Sequence, residues 1–266
     1  MSSPSDAIAD GSPRIFWERD GSSHGEKVVF IHALGCNLDL WDAIVPLIPA
    51  DFQSIRYDLS GHGRSAAGPD ELSIEDHAQD LIHVLDECGA EDANLVGVSV
   101  GGMIALAAAL MEPSRIRRLV LCATAGRIGS VERWSERIAM VRGQGLNALA
   151  DGILMRWFAP GFAEREPGVL RQARAWLVNM PANGYVASCA ALRDTDLRPL
   201  LSGIRCPALV LCGEDDVATP PQWGRELAAA LPDARFELIA GAGHLPPLEQ
   251  PLAFARALER FLNEPP

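Results

Sequence analysis

Apolar positions along the chain fall into two recurring patterns. Short runs rich in Val, Ile, Leu and Phe, bounded by Gly, Pro or Asp, are typical of buried strands. Longer segments between them repeat with helical period, as in residues 73–89, 99–111 and 251–262. The short runs predict strands at residues 14–19, 27–32, 53–58, 93–98, 118–123, 207–213 and 235–240. Strands that alternate with helices predict an α/β fold with a mostly parallel sheet covered on both faces.

One predicted helix carries its own start and stop signals. Ser73 is a plausible N-cap, and Asp76 follows three residues later, at the position of a capping box. Gly89 stands where the helical pattern ends. We therefore expect a well-defined helix between the third and fourth strands.

Residues 125–197 interrupt the alternation, because they contain no good candidate for a strand. Gly and Pro separate four helix-like pieces in this segment, at residues 131–144, 145–158, 167–180 and 182–194. Ligands of α/β sheets bind at the carboxyl edge of the strands. The pattern predicts a helical cap at 125–197, inserted into a core formed by 1–124 and 198–266; we call residues 125–197 the cap segment.

Charge is distributed unevenly along the chain. The 266 residues carry a formal net charge of −12, which argues against a nucleic-acid or anionic-membrane partner. Residues 124–198 contain ten arginines and seven acidic residues, so this segment is positive, at +3. It is interpreted either as a chance distribution of surface charge or as a lid that attracts a small anionic substrate.

The six cysteines are scattered, with no C-x-x-C pair, and a reducing cytoplasm is the expected compartment. Residues 1–13 are polar, and no secretory leader or membrane-spanning apolar run is expected. The pattern leaves the oligomeric state open.

The stretch "GVSVGG" joins a predicted strand to a predicted helix. The pattern G-x-S-x-G in this position is typical of a nucleophile elbow, in which a tight turn exposes the hydroxyl of Ser99. Gly97 and Gly101 stand where larger side chains would collide. The N–H of Val100 is predicted to form half of an oxyanion hole at the helix N-terminus. The alternative is a small-residue turn selected for packing alone.

A serine nucleophile needs a base, and His244 is the candidate. It lies in "AGAGHLPPLEQP", after the last strand, as the order nucleophile, acid, base requires. The other histidines are interpreted as loop or helix residues outside the catalytic set: His24, His32, His62, His77 and His83.

A carboxylate must orient the base, and "VLCGEDDVATPP" offers three at the end of a strand. The spacing from Gly213 to Pro220 favours Asp216, with Asp215 as the alternative. The second oxyanion donor is predicted to be the N–H of Leu34, in the loop "HALGCN" after an early strand; the alternative there is an ordinary βα turn.

These motifs, in this order, resemble the α/β-hydrolase superfamily: "FIHALG", "YDLSGHGRS", "LVGVSVGG", "LVLCGEDDVATPP" and "GAGHLPPLEQP". The cap segment and its edges are similar to those of 3-oxoadipate enol-lactonases of the β-ketoadipate pathway. The resemblance implies a serine hydrolase of aromatic catabolism that opens a small carboxylated enol-lactone through an acyl-enzyme, without metal or organic cofactor. Two departures keep other substrates open, since "IHALG" replaces the usual "SNSLG" and "GVSVGG" replaces "GLSMGG".

Other activities therefore stay as alternatives: another lactonase, a carboxylesterase or a C–C bond hydrolase on the same triad. A haloalkane dehalogenase is disfavoured because the elbow carries Ser99 rather than an aspartate. A ligand receptor without turnover is a further, disfavoured reading.

The free carboxylate of such a substrate needs a cationic partner. Arg133, Arg137 and Arg156 of the cap segment are candidates, because a guanidinium binds a carboxylate in bidentate fashion. Each is alternatively a surface residue. Trp134 and Trp157 are predicted to line the pocket, or else to belong to the interior of the cap segment.

Overall fold

The computed structural model describes residues 14–69 and 71–264. They form one seven-stranded sheet, whose strands are β1 (Trp17–Gly21), β2 (Glu26–Ile31), β3 (Phe52–Tyr57), β4 (Ala93–Val98), β5 (Ile116–Cys122), β6 (Ala208–Gly213) and β7 (Ala234–Ile239). Their order in the sheet is β1-β3-β2-β4-β5-β6-β7, and only the pairing of β1 with β3 is antiparallel. The predicted mostly parallel sheet is confirmed, whereas the prediction for residues 1–13 lies outside the described residues.

The sheet is buried at its centre and exposed at its edges. Every residue of β3, β4 and β6 is buried, as expected for parallel strands that are covered on both faces. The edge strand β1 buries only Trp17 and exposes its last three residues. Its predicted span of 14–19 was wrong by three residues at the start, because a half-exposed edge strand needs no continuous apolar run.

The helices of the core are α1 (Ile74–Glu87), α2 (Val100–Met111), α7 (Pro221–Ala230), α8 (Pro246–Glu249) and α9 (Pro251–Leu262). Three of them, α1, α2 and α9, lie where the helical pattern predicted them, whereas α7 and α8 were not predicted. The predicted capping box of α1 is present: the Ser73 hydroxyl accepts the Asp76 N–H, and the Asp76 carboxylate accepts the Ser73 N–H. Helix α2 is almost entirely buried and packs between α1 and the central strands.

The cap segment is helical, as predicted, and no strand occurs among its residues. Its helices are α3 (Val131–Leu154), α4 (Phe162–Arg165), α5 (Pro167–Asn179) and α6 (Ala182–Asp194). The two pieces predicted at 131–144 and 145–158 form one helix interrupted at Gly145, where φ is 75°. The second piece ends at Leu154, four residues earlier than predicted. Whether the cap segment is a separate domain stays a prediction.

Side chains of the cap segment join the buried core, as Ile138, Leu177 and Tyr185 illustrate. Helix α6 also approaches the loop after β3 so closely that a Cβ on Gly184 would lie 2.3 Å from the carbonyl oxygen of Gly61. The cap segment is therefore seated directly on the loops at the sheet edge. None of the helices in the described part of the chain is long and apolar enough to cross a membrane.

Candidate active site

Ser99 occupies the turn between β4 and α2 with φ 58° and ψ −118°. Positive φ is unfavourable for a residue with a side chain, so surrounding contacts must hold the turn. The Ser99 N–H donates to the carbonyl oxygen of Cys122 at 2.9 Å, and the Thr124 hydroxyl donates to the Ser99 carbonyl at 2.7 Å. The neighbouring strand β5 and its end thus fix the backbone that presents the Ser99 hydroxyl.

The two glycines of the elbow are required by close approach of backbone. A Cβ on Gly97 would lie 2.3 Å from the carbonyl oxygen of Gly101, and a Cβ on Gly101 would lie 2.3 Å from that of Ile31. Both distances are far below van der Waals contact. The prediction that larger side chains would collide at these positions is confirmed.

Asp216 and His244 come together from two loops at the same edge of the sheet. The Nδ1 atom of His244 lies 2.9 Å from Oδ2 of Asp216, and both side chains are buried. Because Asp216 accepts from Nδ1, the imidazole is held with Nδ1 protonated and Nε2 available as a base. This is the geometry that a general base and its orienting carboxylate need.

The donors around Asp216 favour its ionised form. Its Oδ1 accepts the backbone N–H groups of Ala218 and Thr219 at 2.7 and 3.0 Å, and its Oδ2 accepts the Thr219 hydroxyl at 2.7 Å. Burial raises the pKa of Asp216, but His244 and the Thr219 donors outweigh it and hold that pKa below its ordinary value. Asp215, the alternative, is exposed and forms no hydrogen bond or ion pair with His244.

A single cavity brings together most of the predicted site residues. Its lining includes Leu34, Ser99, Arg133, Trp134, Arg137, Arg156, Trp157 and His244. Asp216 lies behind His244, and Val100 follows Ser99 at the first position of α2. These residues are spread over more than 200 positions of the sequence, and in the folded chain they lie around the hydroxyl of Ser99.

The two predicted oxyanion donors are free of other acceptors. Neither the N–H of Leu34 nor that of Val100 donates to an acceptor among the described residues. The carbonyl of Ala33, which belongs to the same peptide group as the Leu34 N–H, accepts from His32 Nδ1 at 2.8 Å and from the Cys36 N–H at 3.1 Å. Since the N–H and C=O of a trans peptide point in opposite directions, these bonds fix where the Leu34 N–H points.

Two buried histidines stabilise the oxyanion loop (residues 32–37) and the loop after β3. His62 Nε2 accepts the N–H of Gly35 at 3.3 Å, and His32 Nε2 accepts the N–H of Leu59 at 3.0 Å. Burial lowers the pKa of His32 to about 4 and that of His62 to about 3, so both rings are neutral near pH 7. Their predicted place outside the catalytic set, with loop hydrogen bonding for His62, agrees with these contacts.

The three candidate arginines face the cavity without carboxylate partners. None of them forms an ion pair within the described part of the chain. Arg137 donates to the Tyr185 hydroxyl at 3.2 Å, and Arg156 donates to the Val217 carbonyl at 2.8 Å. Burial, together with the nearby charges of Arg156 and Arg137, lowers the pKa of Arg133. The cavity therefore holds a positive charge that no ion pair with a described residue compensates.

The two tryptophans differ in how they meet the cavity. Trp157 is buried, and Trp134 is half-buried, with its Nε1 donating to the Ile128 carbonyl at 2.6 Å. Both line the cavity and pack against the core, so the two interpretations offered for them are compatible.

Three residues near the cavity escaped the sequence reasoning: Thr219, Tyr185 and Glu249. Thr219 follows Asp216 by three residues, and Glu249 lies within the quoted "GAGHLPPLEQP" motif, so both carried a positional signal. Tyr185 is one of only two tyrosines in the chain, and its role beside Arg137 had no signal in the sequence.

Comparison with known proteins shows which family this chain belongs to. A family model described as the alpha/beta hydrolase fold matches residues 27–251. The 3-oxoadipate enol-lactonase 2 of Acinetobacter baylyi is 32% identical over 243 residues, which cover 91% of this chain and 91% of that protein.

Solved structures agree over almost the full length. The crystal structure of the enol-lactonase from Burkholderia xenovorans LB400 matches with a TM-score of 0.91 and 38% identity, covering 94% of this chain and 96% of that one. A thermophilic esterase from Thermogutta terrifontis, with malate bound, matches with a TM-score of 0.88 and 28% identity, covering 98% and 97%.

Proposed function

The chain belongs to the α/β-hydrolase fold family and is a hydrolase of carboxylic esters or lactones, and on that premise we propose that it opens the ring of 3-oxoadipate enol-lactone to form 3-oxoadipate. One observation carries the choice of an anionic substrate. The cavity of Ser99 and His244 also contains three arginines that form no ion pair with a carboxylate of the described residues.

The arginines suit the carboxylate that this lactone carries on its side chain. A guanidinium that lacks a carboxylate partner gains charge-assisted hydrogen bonds when a substrate carboxylate enters, without first breaking an ion pair. Four other arginines of residues 124–198 are already paired with aspartates: Arg127, Arg174, Arg193 and Arg198. Of the six arginines in residues 124–198 that form no ion pair with a described residue, three line this cavity. An anionic substrate would therefore meet uncompensated positive charge there, and a neutral substrate would gain nothing from it.

In the proposed acylation, the Ser99 hydroxyl attacks the lactone carbonyl while His244 Nε2 takes its proton. The N–H groups of Leu34 and Val100 stabilise the tetrahedral oxyanion. Collapse of this intermediate breaks the bond between the acyl carbon and the ring oxygen. The ring oxygen leaves as an enol after protonation by His244, and the enol converts to the ketone.

In the proposed deacylation, water attacks the acyl-enzyme while His244 again acts as base. The bond to Ser99 breaks, the serine recovers its proton, and the second carboxylate of the product is released. One water molecule is consumed in each cycle. Asp216 stabilises the imidazolium in both steps without itself taking the proton.

The decisive experiment follows the absorbance decay of 3-oxoadipate enol-lactone with purified protein. We expect decay with the wild type and none above background with Ser99→Ala. A control with a neutral aryl ester reports on the triad independently of the lactone. If the wild type hydrolyses the aryl ester but leaves the lactone unchanged, the substrate proposal is wrong while the hydrolase mechanism stands.

Hydrolysis of an acyclic ester that bears a carboxylate is the second candidate. The T. terrifontis esterase with malate bound has the same fold over nearly the whole chain. The oxyanion loop and the elbow also depart from the usual lactonase pattern, at residues 31–33 and at Val98 and Val100. Parallel assays with the enol-lactone and an acyclic monoester of a dicarboxylic acid separate the two candidates.

We further propose a reducing cytoplasm as the compartment, with the six thiols in support. All six cysteines are free, and Cys36, Cys122, Cys189 and Cys212 are buried. Burial raises the pKa of the Cys212 thiol to about 12, so it is an unreactive apolar side chain.

A further inference from the structure

Glu249 is a buried carboxylate whose hydrogen bonds all go to backbone N–H groups. It is 7% exposed. Its Oε1 accepts from Gly243 at 2.8 Å and from Leu245 at 3.4 Å, and its Oε2 accepts from Ala159 at 2.7 Å. Among the described residues no cation lies within ion-pair distance of it. Such a carboxylate is held by directed N–H donors rather than by a countercharge.

These hydrogen bonds enclose the candidate base. Gly243 and Leu245 flank His244 in the chain, so Oε1 fixes the backbone on both sides of it. The N–H of His244 itself donates to the carbonyl of Trp157 at 2.9 Å. Three residues of the loop, 243–245, are therefore tied either to Glu249 or to the segment after α3.

The same carboxylate reaches the cap segment. Ala159 lies five residues after the end of α3, the helix that carries Arg133 and Arg137. The His244 loop and the cap segment are tightly packed at this point, because a Cβ on Gly243 would lie 2.7 Å from the Ala159 nitrogen. The side chain of Glu249 therefore bonds both the loop that carries His244 and the cap segment.

We propose that Glu249 is a positioning residue for the general base, which joins the His244 loop to the cap segment and holds the imidazole in line with Ser99 and Asp216. A glutamine has the same shape but only one acceptor oxygen. Its NH₂ group would face either the Gly243 or the Ala159 N–H, and two donors cannot bond each other. The inference rests on the proposed roles of Ser99 and His244 and is independent of the lactone.

The test compares Glu249→Gln with Asp80→Asn in the full-length protein, with p-nitrophenyl acetate as substrate. Asp80 is the matched control, because it is also buried and hydrogen-bonded, to Ser60 and Arg14, but contacts none of the catalytic candidates. Rates are expressed per Ser99 titrated with an organophosphonate, which removes unfolded protein from the comparison. We expect Glu249→Gln to lower kcat about 10- to 100-fold, since small misplacements of reacting groups have effects of this size.

A second readout separates positioning from a merely structural role. The downfield proton resonance of His244 Nδ1–H should shift or broaden in Glu249→Gln and stay unchanged in Asp80→Asn. Equal kcat per titrated serine and an unchanged resonance would overturn the proposal, even if the melting temperature fell. If Glu249→Gln does not fold, the shorter Glu249→Asp is measured in the same way: lowered kcat supports the proposal, and wild-type kcat overturns it. Activity that survives in Ser99→Ala would instead refute the proposed mechanism.

Discussion

The sheet side and the cap side of the cavity differ in how their polar groups are partnered. On the sheet side, Asp216 and its donors form a complete set of hydrogen bonds around His244. On the cap side, Arg133, Arg137 and Arg156 have no carboxylate partner in the part of the chain that the structure describes. The satisfied side suits chemistry that is common to many esters, and the unsatisfied side suits selection of a substrate by charge.

The largest expected effect is on the sheet side. Asp216→Asn would remove the acceptor that fixes the His244 tautomer, and we expect kcat to fall by about 10⁴-fold. Asp215→Asn is the matched control, because Asp215 is exposed and should leave kcat unchanged. Steady-state kinetics with p-nitrophenyl acetate measures both. Similar losses in the two variants would contradict the assignment of Asp216.

A smaller and more selective effect is expected on the cap side. Arg137→Gln should lower kcat/KM for the anionic lactone by about 10- to 100-fold, the range of a hydrogen bond to a charged group. Hydrolysis of neutral p-nitrophenyl acetate should change little. Arg174→Gln, which disrupts an ion pair with Asp151, serves as control. Equal losses on both substrates would indicate damage to the site rather than loss of charge recognition.

Three buried, neutral histidines, His32, His62 and His77, are expected to make the stability of the protein depend on pH. Burial lowers the pKa of His77 to about 3, well below its ordinary value of 6.5. The unfolded chain therefore binds this proton before the folded chain does, and stability falls as pH drops from about 6.5 towards 3. Each such histidine contributes a slope of about 1.4 kcal/mol per pH unit within that window. Asp58 acts in the opposite sense between its ordinary pKa and about 6, because burial raises its pKa.

Urea unfolding at several pH values between 4.5 and 6.5 measures this slope. His77→Gln should reduce it by the contribution of one histidine, whereas exposed His24→Gln should not. We compare slopes rather than absolute stabilities, because the loss of packing at His77 shifts all values together. The same slope in wild type and His77→Gln would show that His77 titrates alike in both states.

The smallest expected effect concerns ionic strength. If the uncompensated arginines attract the substrate, kcat/KM for the lactone should fall a few-fold between low salt and about 1 M salt, where the Debye length is about 3 Å. The neutral ester is the internal control for general salt effects. The same salt dependence for both substrates would show that the arginines of the cap side do not attract the anionic substrate.

Much of the sheet side could be predicted from the chain, because its signals are local. Val98, Ser99 and Val100 lie consecutively between a strand pattern and a helix pattern, and the capping box of α1 spans four residues. The choice between Asp215 and Asp216 was weaker. Adjacent carboxylates share a sequence context, so the spacing from Gly213 to Pro220 favoured Asp216 without excluding Asp215. Burial and the donors of Thr219 then distinguish the two.

The cap side was less predictable, because its contacts join residues that are far apart in the chain. Arg133, Arg137 and Arg156 were three candidates among ten arginines of residues 124–198, and helical spacing alone does not say which ones face a cavity. The partner of Arg137, Tyr185, comes from a different helix, 48 residues further on. The absence of ion pairs between these arginines and the described carboxylates depends on how the helices pack, and no pattern along the chain encodes it.

Periodicity, turn residues and motif order were enough to determine the α/β architecture, the helical cap segment and the candidate nucleophile, acid and base. These features depend on contacts between residues that are near in sequence or on the fixed order of strands. Tertiary structure was needed to exclude Asp215 as the acid that bonds His244. It alone decided which arginines lack carboxylate partners among the described residues, and that Glu249 bonds both the His244 loop and the cap segment. Those outcomes depend on distances between segments far apart in the chain, where packing decides which polar groups meet.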